Sequence, residues 1–348
     1  MILEIGDEKR LLDFVSNIKK EKVALISHID LDGLTAAKIT SEIINFDIIK
    51  FIEYEELNES LVEELRKKGI TKIVFTDIYI KDKKFMENLE SFANVLIMDH
   101  HLSPDWNSEK TVFIKGEDGY SAGYLCYYLF SKMKNLEKWN WLVACSCISD
   151  YCHVKPKEWL TKTMEKYGDK LEYVGHYVRQ TGKFWGLQFA ISLALIYFKQ
   201  NKEMKKAYDS IKEGFGDIGI LNEYADQIKR EIDRMVKEFE DKKEEIEEGY
   251  FFEDNPKFSI NSMVSSILSG TDIHKMFVII APEEDFYRVS IRRQDGKIDC
   301  SAFLQNIFKG LTGADGGGHA KAAGGNFMKK DLGEIRRRLG LPEKQKSL

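Results

Sequence analysis

Eight residues able to bind cations or move protons stand at the ends of apolar segments. They are His28, Asp30 and Asp32 in SHIDLDGLTAA (27–37), Asp77 closing KIVFTD (72–77), Asp99, His100 and His101 in MDHHL (98–102), and Asp150 closing WNWLVACSCISD (139–150). Carboxylates gathered this closely repel one another unless cations sit between them. A mixed carboxylate and imidazole set suits manganese or a related divalent ion better than calcium, which takes oxygen alone. With a carboxylate bridging two ions about 3.5–4 Å apart, one ion can lower the pKa of a shared water while both stabilise charge on a phosphoryl group. Asp-x-Asp-Gly by itself is ordinarily a turn or helix cap, and so is a lone Asp77 or Asp150. Capping does not call for adjacent histidines after a buried strand together with carboxylates at three other element ends.

The elements that must position these residues alternate. A helix is predicted over 7–20, then strand 23–27, a glycine-containing turn and a small-residue helix from Thr35, Ala36 and Ala37. Strand 47–53, helix 58–68, strand 72–77, helix 82–91, strand 93–98 and strand 111–115 follow. Strand and helix alternation implies right-handed crossovers and a doubly wound parallel sheet, in which ligands bind beyond the carboxyl ends of the strands. Residues 121–130 and 139–150 read as buried helices, and 151–200 as mainly helical and aromatic, with no assigned role.

Residues 222–248 are charged and helix-favouring, with Ile228, Ile232, Met235 and Phe239 at spacings of three and four, which predicts one long connecting helix. The pattern then restarts: strand 250–258, helix 260–269, strands 276–281 and 286–292, helix 300–309. The stretch GADGGGHAKAAGG (313–325) reads as a ligand-facing loop before a short strand and a basic helix at 331–339. The expected organisation is a catalytic domain over 1–205, a helical linker over 206–249 and a smaller α/β domain over 250–348.

Composition narrows the function classes. Hydrophobic residues make up 43% and charged residues 31%, as in a soluble globular protein. No apolar run reaches about eighteen residues and no signal-like start is present, so a cytoplasmic location with no membrane partner is expected. Five cysteines fit reduced thiols. A net charge of −5 argues against a surface coated with basic patches for gripping long nucleic acid, without excluding a local basic groove. Cys145, Cys147, Cys152 and His153 do not have the spacing of a standard zinc site. His176 and His274 read as packed or surface residues, and Trp139, Trp141, Trp159 and Trp185 as core.

The motifs His28-x-Asp30-x-Asp32-Gly33, Asp77, Asp99-His100-His101 and Asp150 resemble the DHH phosphoesterase superfamily. GGGHAKAAGG (316–325), with Ser290-Ile-Arg292 before it, resembles the accessory domain called DHHA1. The resemblance implies an α/β fold with an N-terminal doubly wound parallel-sheet DHH domain, a connecting helix and a smaller C-terminal α/β DHHA1 domain. It also implies two Mn2+ ions, for which Mg2+ or Co2+ could substitute. One would be held by His28, Asp30 and Asp77, the other by Asp32, Asp77, His100 and Asp150. Asp77 is then the bridge, Asp99 orients its neighbours, and His101 contacts the scissile phosphate or the leaving oxygen. Arg292 would grip a substrate phosphate, while amides of Gly316, Gly317 and Gly318 and the ring of His319 would surround the substrate's far end. Arg293 stands where several relatives carry a second serine.

The function expected from these readings is hydrolysis of short nucleotides to 5′-monophosphates by two-metal-activated water. Cyclic di-AMP, linear dinucleotides such as pApA and very short oligoribonucleotides are the substrate class. A RecJ-like exonuclease on single-stranded DNA or RNA is the alternative, and a non-catalytic replication scaffold a third reading. Substrate length, sugar, base, polarity and oligomeric state are not written in the sequence.

Overall fold

The computed structural model describes residues 2–18, 20–174 and 177–342, so His176 lies outside the described residues. The chain divides into two units, Met1–Asp226 and Gln227–Leu348. Among the described residues no helix is long and apolar enough to cross a membrane.

In the first unit the elements run β1 (Leu3–Ile5), α1 (Glu8–Ser16), β2 (Val23–His28), α2 (Leu31–Ser41), β3 (Ile48–Ile52), α3 (Glu59–Lys67), β4 (Lys72–Thr76), α4 (Lys83–Glu90), β5 (Asn94–Asp99), β6 (Thr111–Gly116), α5 (Ala122–Phe130) and α6 (Asn140–Ser149). Strand order is β1-β6-β5-β4-β2-β3. Strands β2 to β6 are parallel, and Ala24, Ile26, Ile73, Phe75, Val95, Ile97 and Phe113 form a core under α3 and α4. The three-residue β1 adds an antiparallel edge that the sequence reading did not foresee, so the sheet is not wholly parallel. Three residues are too short to show a hydrophobic period. Strand β2 pairs with β3 on one side and β4 on the other. The order reverses there, which places a ligand crevice beyond the ends of β2 and β4.

The region of unassigned role contains α7 (Lys157–Lys166), a two-stranded hairpin of β7 (Tyr173–Val174) and β8 (Tyr177–Val178), α8 (Lys183–Gln200) and α9 (Met204–Ser210). Helix α8 packs on α6 and α9. Trp139, Trp141 and Trp185 are buried, as expected of core residues.

The second unit takes in most of α10 (Leu221–Lys242), followed by β9 (Glu244–Ile246), β10 (Gly249–Glu253), α11 (Asn261–Thr271), β11 (Met276–Pro282), β12 (Phe286–Arg292), α12 (Cys300–Phe308), β13 (Asp315–His319), β14 (Ala322–Met328) and α13 (Leu332–Arg338). The sheet runs β13-β14-β12-β11-β10-β9, and its core joins Phe251, Val278, Ile280, Val289, Ile291, Leu304, Ile307 and Phe327.

Two expectations need correction here. The connecting helix ends at Lys242, not 248, because the acidic run continues as an edge strand against β10. Its Glu244 carboxylate takes both arms of the buried Arg336 guanidinium, at 2.7 and 2.6 Å. The glycine-rich stretch is a hairpin of β13 and β14, not a loop, with Gly316 opposite Gly325 and Gly317 opposite Gly324. Glycine is depleted in strands, so its density reads as loop. Here it allows the backbones to meet: a Cβ on Gly318, at φ 154°, would lie 2.3 Å from the Ala322 carbonyl oxygen.

Candidate metal centre

The crevice edge is built from the ends of three neighbouring strands. His28 closes β2, Asp77 follows β4 and Asp99 closes β5. Beneath them the Thr76 hydroxyl donates to Ser27 Oγ at 2.8 Å, and the Ser27 hydroxyl donates to the Gly33 carbonyl at 2.7 Å. These buried bonds tie β2, β4 and the start of α2 together. Gly33 has no room for a side chain, since a Cβ there would stand 2.4 Å from the His28 carbonyl oxygen.

Asp30 serves as both cap and candidate ligand. Its Oδ1 accepts the Gly33 amide at 2.9 Å as the N-cap of α2, and its Oδ2 lies 2.9 Å from His28 Nδ1. His28 Nδ1 nonetheless makes no hydrogen bond. The two atoms converge side by side, as donors to a common cation do. Asp77 is 1% exposed and holds φ at 57°, a left-handed value that a non-glycine residue adopts at a cost. Its Oδ2 is 3.7 Å from His28 Nδ1 and has no hydrogen-bond partner. Its Oδ1 is 3.4 Å from His100 Nε2, and His100 Nε2 is also 3.4 Å from Asp150 Oδ2.

Asp150 caps the C-terminus of α6. Its Oδ2 accepts the Cys152 thiol at 3.5 Å, which brings a sulfur to the edge of the group. Asp32 departs from the simplest expectation. Its carboxylate, 1% exposed, accepts the Ala122 and Gly123 amides at 2.7 and 2.8 Å at the N-terminus of α5, and its Oδ2 is 3.7 Å from His100 Nε2. It is therefore anchored to a helix end, with one oxygen as near to His100 as Asp77 Oδ2 is to His28.

Asp99 is fully buried. Its Oδ1 accepts from His101 Nδ1 at 2.8 Å, while its Oδ2 has no partner. A carboxylate can only accept, so His101 Nδ1 carries a proton.

The electrostatics fit an ion site. Burial, together with the charges of Asp32, Asp30, Asp99 and Asp150, pushes Asp77 well above the usual carboxylate range. Burial and Asp32 lift Asp150 to about 6, against the pull of His100. Burial would raise Asp30 too, but the His28 ring and the Gly33 amide outweigh it and hold Asp30 at about 2. Burial also works against a charged His101, yet Asp99 outweighs it and raises that ring's pKa. Carboxyls this crowded hold protons unless cations replace them. Donor separations of 3.4–3.7 Å exceed hydrogen bonds. They approach the spacing of about 3 Å between neighbouring ligands on ions with bonds of about 2.1 Å. The residues fit divalent metal.

Among the described residues, no group of metal-donor atoms unites Cys145, Cys147, Cys152 and His153. Tyr54 was not foreseen. It follows β3, and its ring lies 5.1 Å from the His28 ring and 6.5 Å, edge-on, from the His101 ring. Its position just beyond a strand end was the available signal.

In the second unit, Arg292 closes β12 and donates from Nη2 to Ser262 Oγ at 3.3 Å, while its buried Nε has no partner. Ser290 Oγ meets Ser265 Oγ at 2.8 Å. Arg293 is used structurally, bonding Asp295 Oδ1 at 2.8 Å and Glu248 Oε2 at 3.1 Å. Gly316, Gly317, Gly318 and His319 lie along edge strand β13, and the Gly316 carbonyl accepts Gln305 Nε2 at 2.6 Å.

Comparison with known proteins agrees with both units. The family model "DHH family, N-terminal domain" matches residues 22–147, and the "DHHA1 domain" model matches residues 250–340. No curated protein sequence matches the chain. Among solved structures, the chain is similar to RecJ in complex with Mn2+ from Thermus thermophilus, at 17% identity and a TM-score of 0.65. That match covers 99% of this chain and 56% of the Thermus chain, so this chain spans little more than half of that protein's length. An exonuclease RecJ bound to manganese matches at 14% identity and a TM-score of 0.68, over 96% of this chain and 94% of its own. CDC45 from Entamoeba histolytica matches at 10% identity and 0.59, over 95% and 97%. With both of its characteristic domains matched in order, the chain belongs to the DHH/DHHA1 superfamily.

Proposed function

We propose that this protein is a manganese-dependent phosphodiesterase that hydrolyses short nucleotides, such as cyclic di-AMP or pApA, to 5′-monophosphates. One observation carries the reading: the two oxygens of the buried Asp77 face different donors, Oδ2 toward His28, which stands beside Asp30, and Oδ1 toward His100, whose Nε2 is in turn 3.4 Å from Asp150. His28, Asp30 and Asp77 would hold one ion, and Asp32, Asp77, His100 and Asp150 the other. Divalent ions held there supply Lewis-acid charge and an activated water.

The chain's own groups do the rest. Asp99 orients His101 and favours its protonated form, in which Nε2 also carries a proton that can be donated to a phosphate oxygen or the departing 3′ oxygen. Water adds to phosphorus, the bond to the 3′ oxygen breaks, and the 5′-phosphate and 3′-hydroxyl leave. Arg292, Gly316, Gly317, Gly318 and His319 are the proposed contacts to the rest of the substrate. The net charge of −5 favours a short anion over a long polymer.

A RecJ-like exonuclease on single strands is the second reading, supported by the likeness to manganese-bound RecJ over 96% of this chain. The converging donor atoms speak against a non-catalytic scaffold. The test is manganese-dependent hydrolysis of cyclic di-AMP, pApA and a 5′-labelled strand of about twenty nucleotides, longer than the roughly 4–16 nucleotides of a single-strand site. Turnover of the dinucleotides with the strand intact is expected. Progressive shortening of the strand would establish the exonuclease.

A further inference from the structure

Next to the metal centre lies a chamber of about 540 Å3 that the mechanism does not use. Its floor is the buried pair Ile80 and Phe85, part of the sheet's hydrophobic core. Tyr54, Leu57 and Tyr79 form its walls, Lys81 and Asp82 also line it, with Lys81 Nζ 4.9 Å from the centre of the Tyr79 ring, and His101 stands at the boundary with the carboxylates. Two observations tie the chamber to the phosphate position. The same imidazole that Asp99 orients toward the reaction lines the chamber. Tyr54, a wall residue, also contacts the ring of His28. A ligand filling both places has a charged phosphate at one end and, at the other, an aromatic body with polar edges that Lys81 and Asp82 can meet.

We infer that this chamber seats the nucleobase of the nucleotide whose 5′-phosphate lies at the metal centre. The inference rests on the proposed phosphodiesterase reading for the location of that phosphate. Aromatic walls around an apolar floor favour ring stacking, which tolerates any base because every base has a π face. The volume is that of a small-molecule site. All the lining residues belong to the first unit, so the base and the reacting phosphate are held within that unit.

The experiment compares binding of adenosine 5′-monophosphate with ribose 5-phosphate, which lacks only the base, by isothermal titration calorimetry on the full chain with Mn2+. The wild type is expected to bind the nucleotide about 5- to 150-fold more tightly, the range that stacking one base provides. Tyr79→Ala should remove most of that advantage, and Leu57→Trp, which fills the chamber from a half-buried position, should do so without deleting a wall. Both should leave ribose 5-phosphate affinity within about twofold, as expected of changes away from the phosphate. Equal affinity for the two ligands in the wild type overturns the inference, as does a variant that weakens both alike. Phenyl phosphate binding as tightly as the nucleotide would overturn the nucleobase assignment in favour of a general aryl pocket. Neither ligand contains a phosphodiester, so a protein that cleaves no diester yet keeps the base preference would defeat the proposed reaction and leave the chamber standing.

Discussion

The two carboxylate oxygens of Asp77 face different imidazoles, with Oδ2 3.7 Å from His28 Nδ1 and Oδ1 3.4 Å from His100 Nε2. A backbone φ of 57° holds the side chain in that position, at the point where the strand order reverses. Strain of this kind persists only where surrounding structure over-determines it, and it clusters at functional sites.

Asp77→Asn separates function from stability. Asparagine tolerates the left-handed backbone and removes a carboxyl that, without metal, must either hold a charge against four other carboxylates or take up a proton on folding. Without metal the variant should melt about 2–4 °C above the wild type if about 1 kcal/mol of repulsion is relieved. With Mn2+ at one hundred times its Kd the wild type should gain about 2.7 kcal/mol, and the variant far less. Thermal melts with EDTA and with Mn2+ check both, and undiminished turnover by the variant would discredit the bridging role.

Asp99 and His101 should act as one unit. Asp99→Asn removes the charge that favours the protonated ring, and His101→Ala removes the ring; each should lower kcat by about 10²–10⁴. The double variant should be no slower than His101→Ala alone, because residues acting together are not additive. Steady-state kinetics on a dinucleotide with all three proteins decides it. Multiplying losses would mean that Asp99 acts independently of His101.

Glu42 provides a pH-dependent tie away from the site. Burial would raise its pKa, but Lys134 Nζ at 2.7 Å, Trp139 Nε1 at 2.9 Å and Lys138 Nζ at 3.0 Å outweigh burial and hold it at about 2. A depressed carboxylate pKa stabilises the fold fully above the unfolded value of 4.5, and the contribution fades as pH falls toward 2. Glu42→Gln should therefore cost about 1–3 kcal/mol at pH 6, and the gap from the wild type should close between pH 4.5 and 2. Urea unfolding across that range measures it; a gap independent of pH would mean that the ion pairs contribute nothing.

The sequence by itself determined the alternating elements of the first unit and the clustering of His28, Asp30, Asp77, His100 and Asp150. Both are local: apolar runs of strand length end in polar residues, and a parallel sheet carries those ends to one edge. The tertiary structure decided what depends on partners distant in the chain. Asp32 read as a ligand from its spacing, and only the packing of α5 against α2 shows that its carboxylate also accepts the Ala122 and Gly123 amides. The glycine-rich stretch read as a loop because glycine has no side chain to report a strand, and its pairing exists only once β14 lies beside it. The charged run past Lys242 had helical composition, yet edge pairing with β10 and the Arg336 guanidinium claimed it as a strand. Tyr54 carried no motif, and its place beside His28 and His101 follows from the strand order, which no spacing along the chain records.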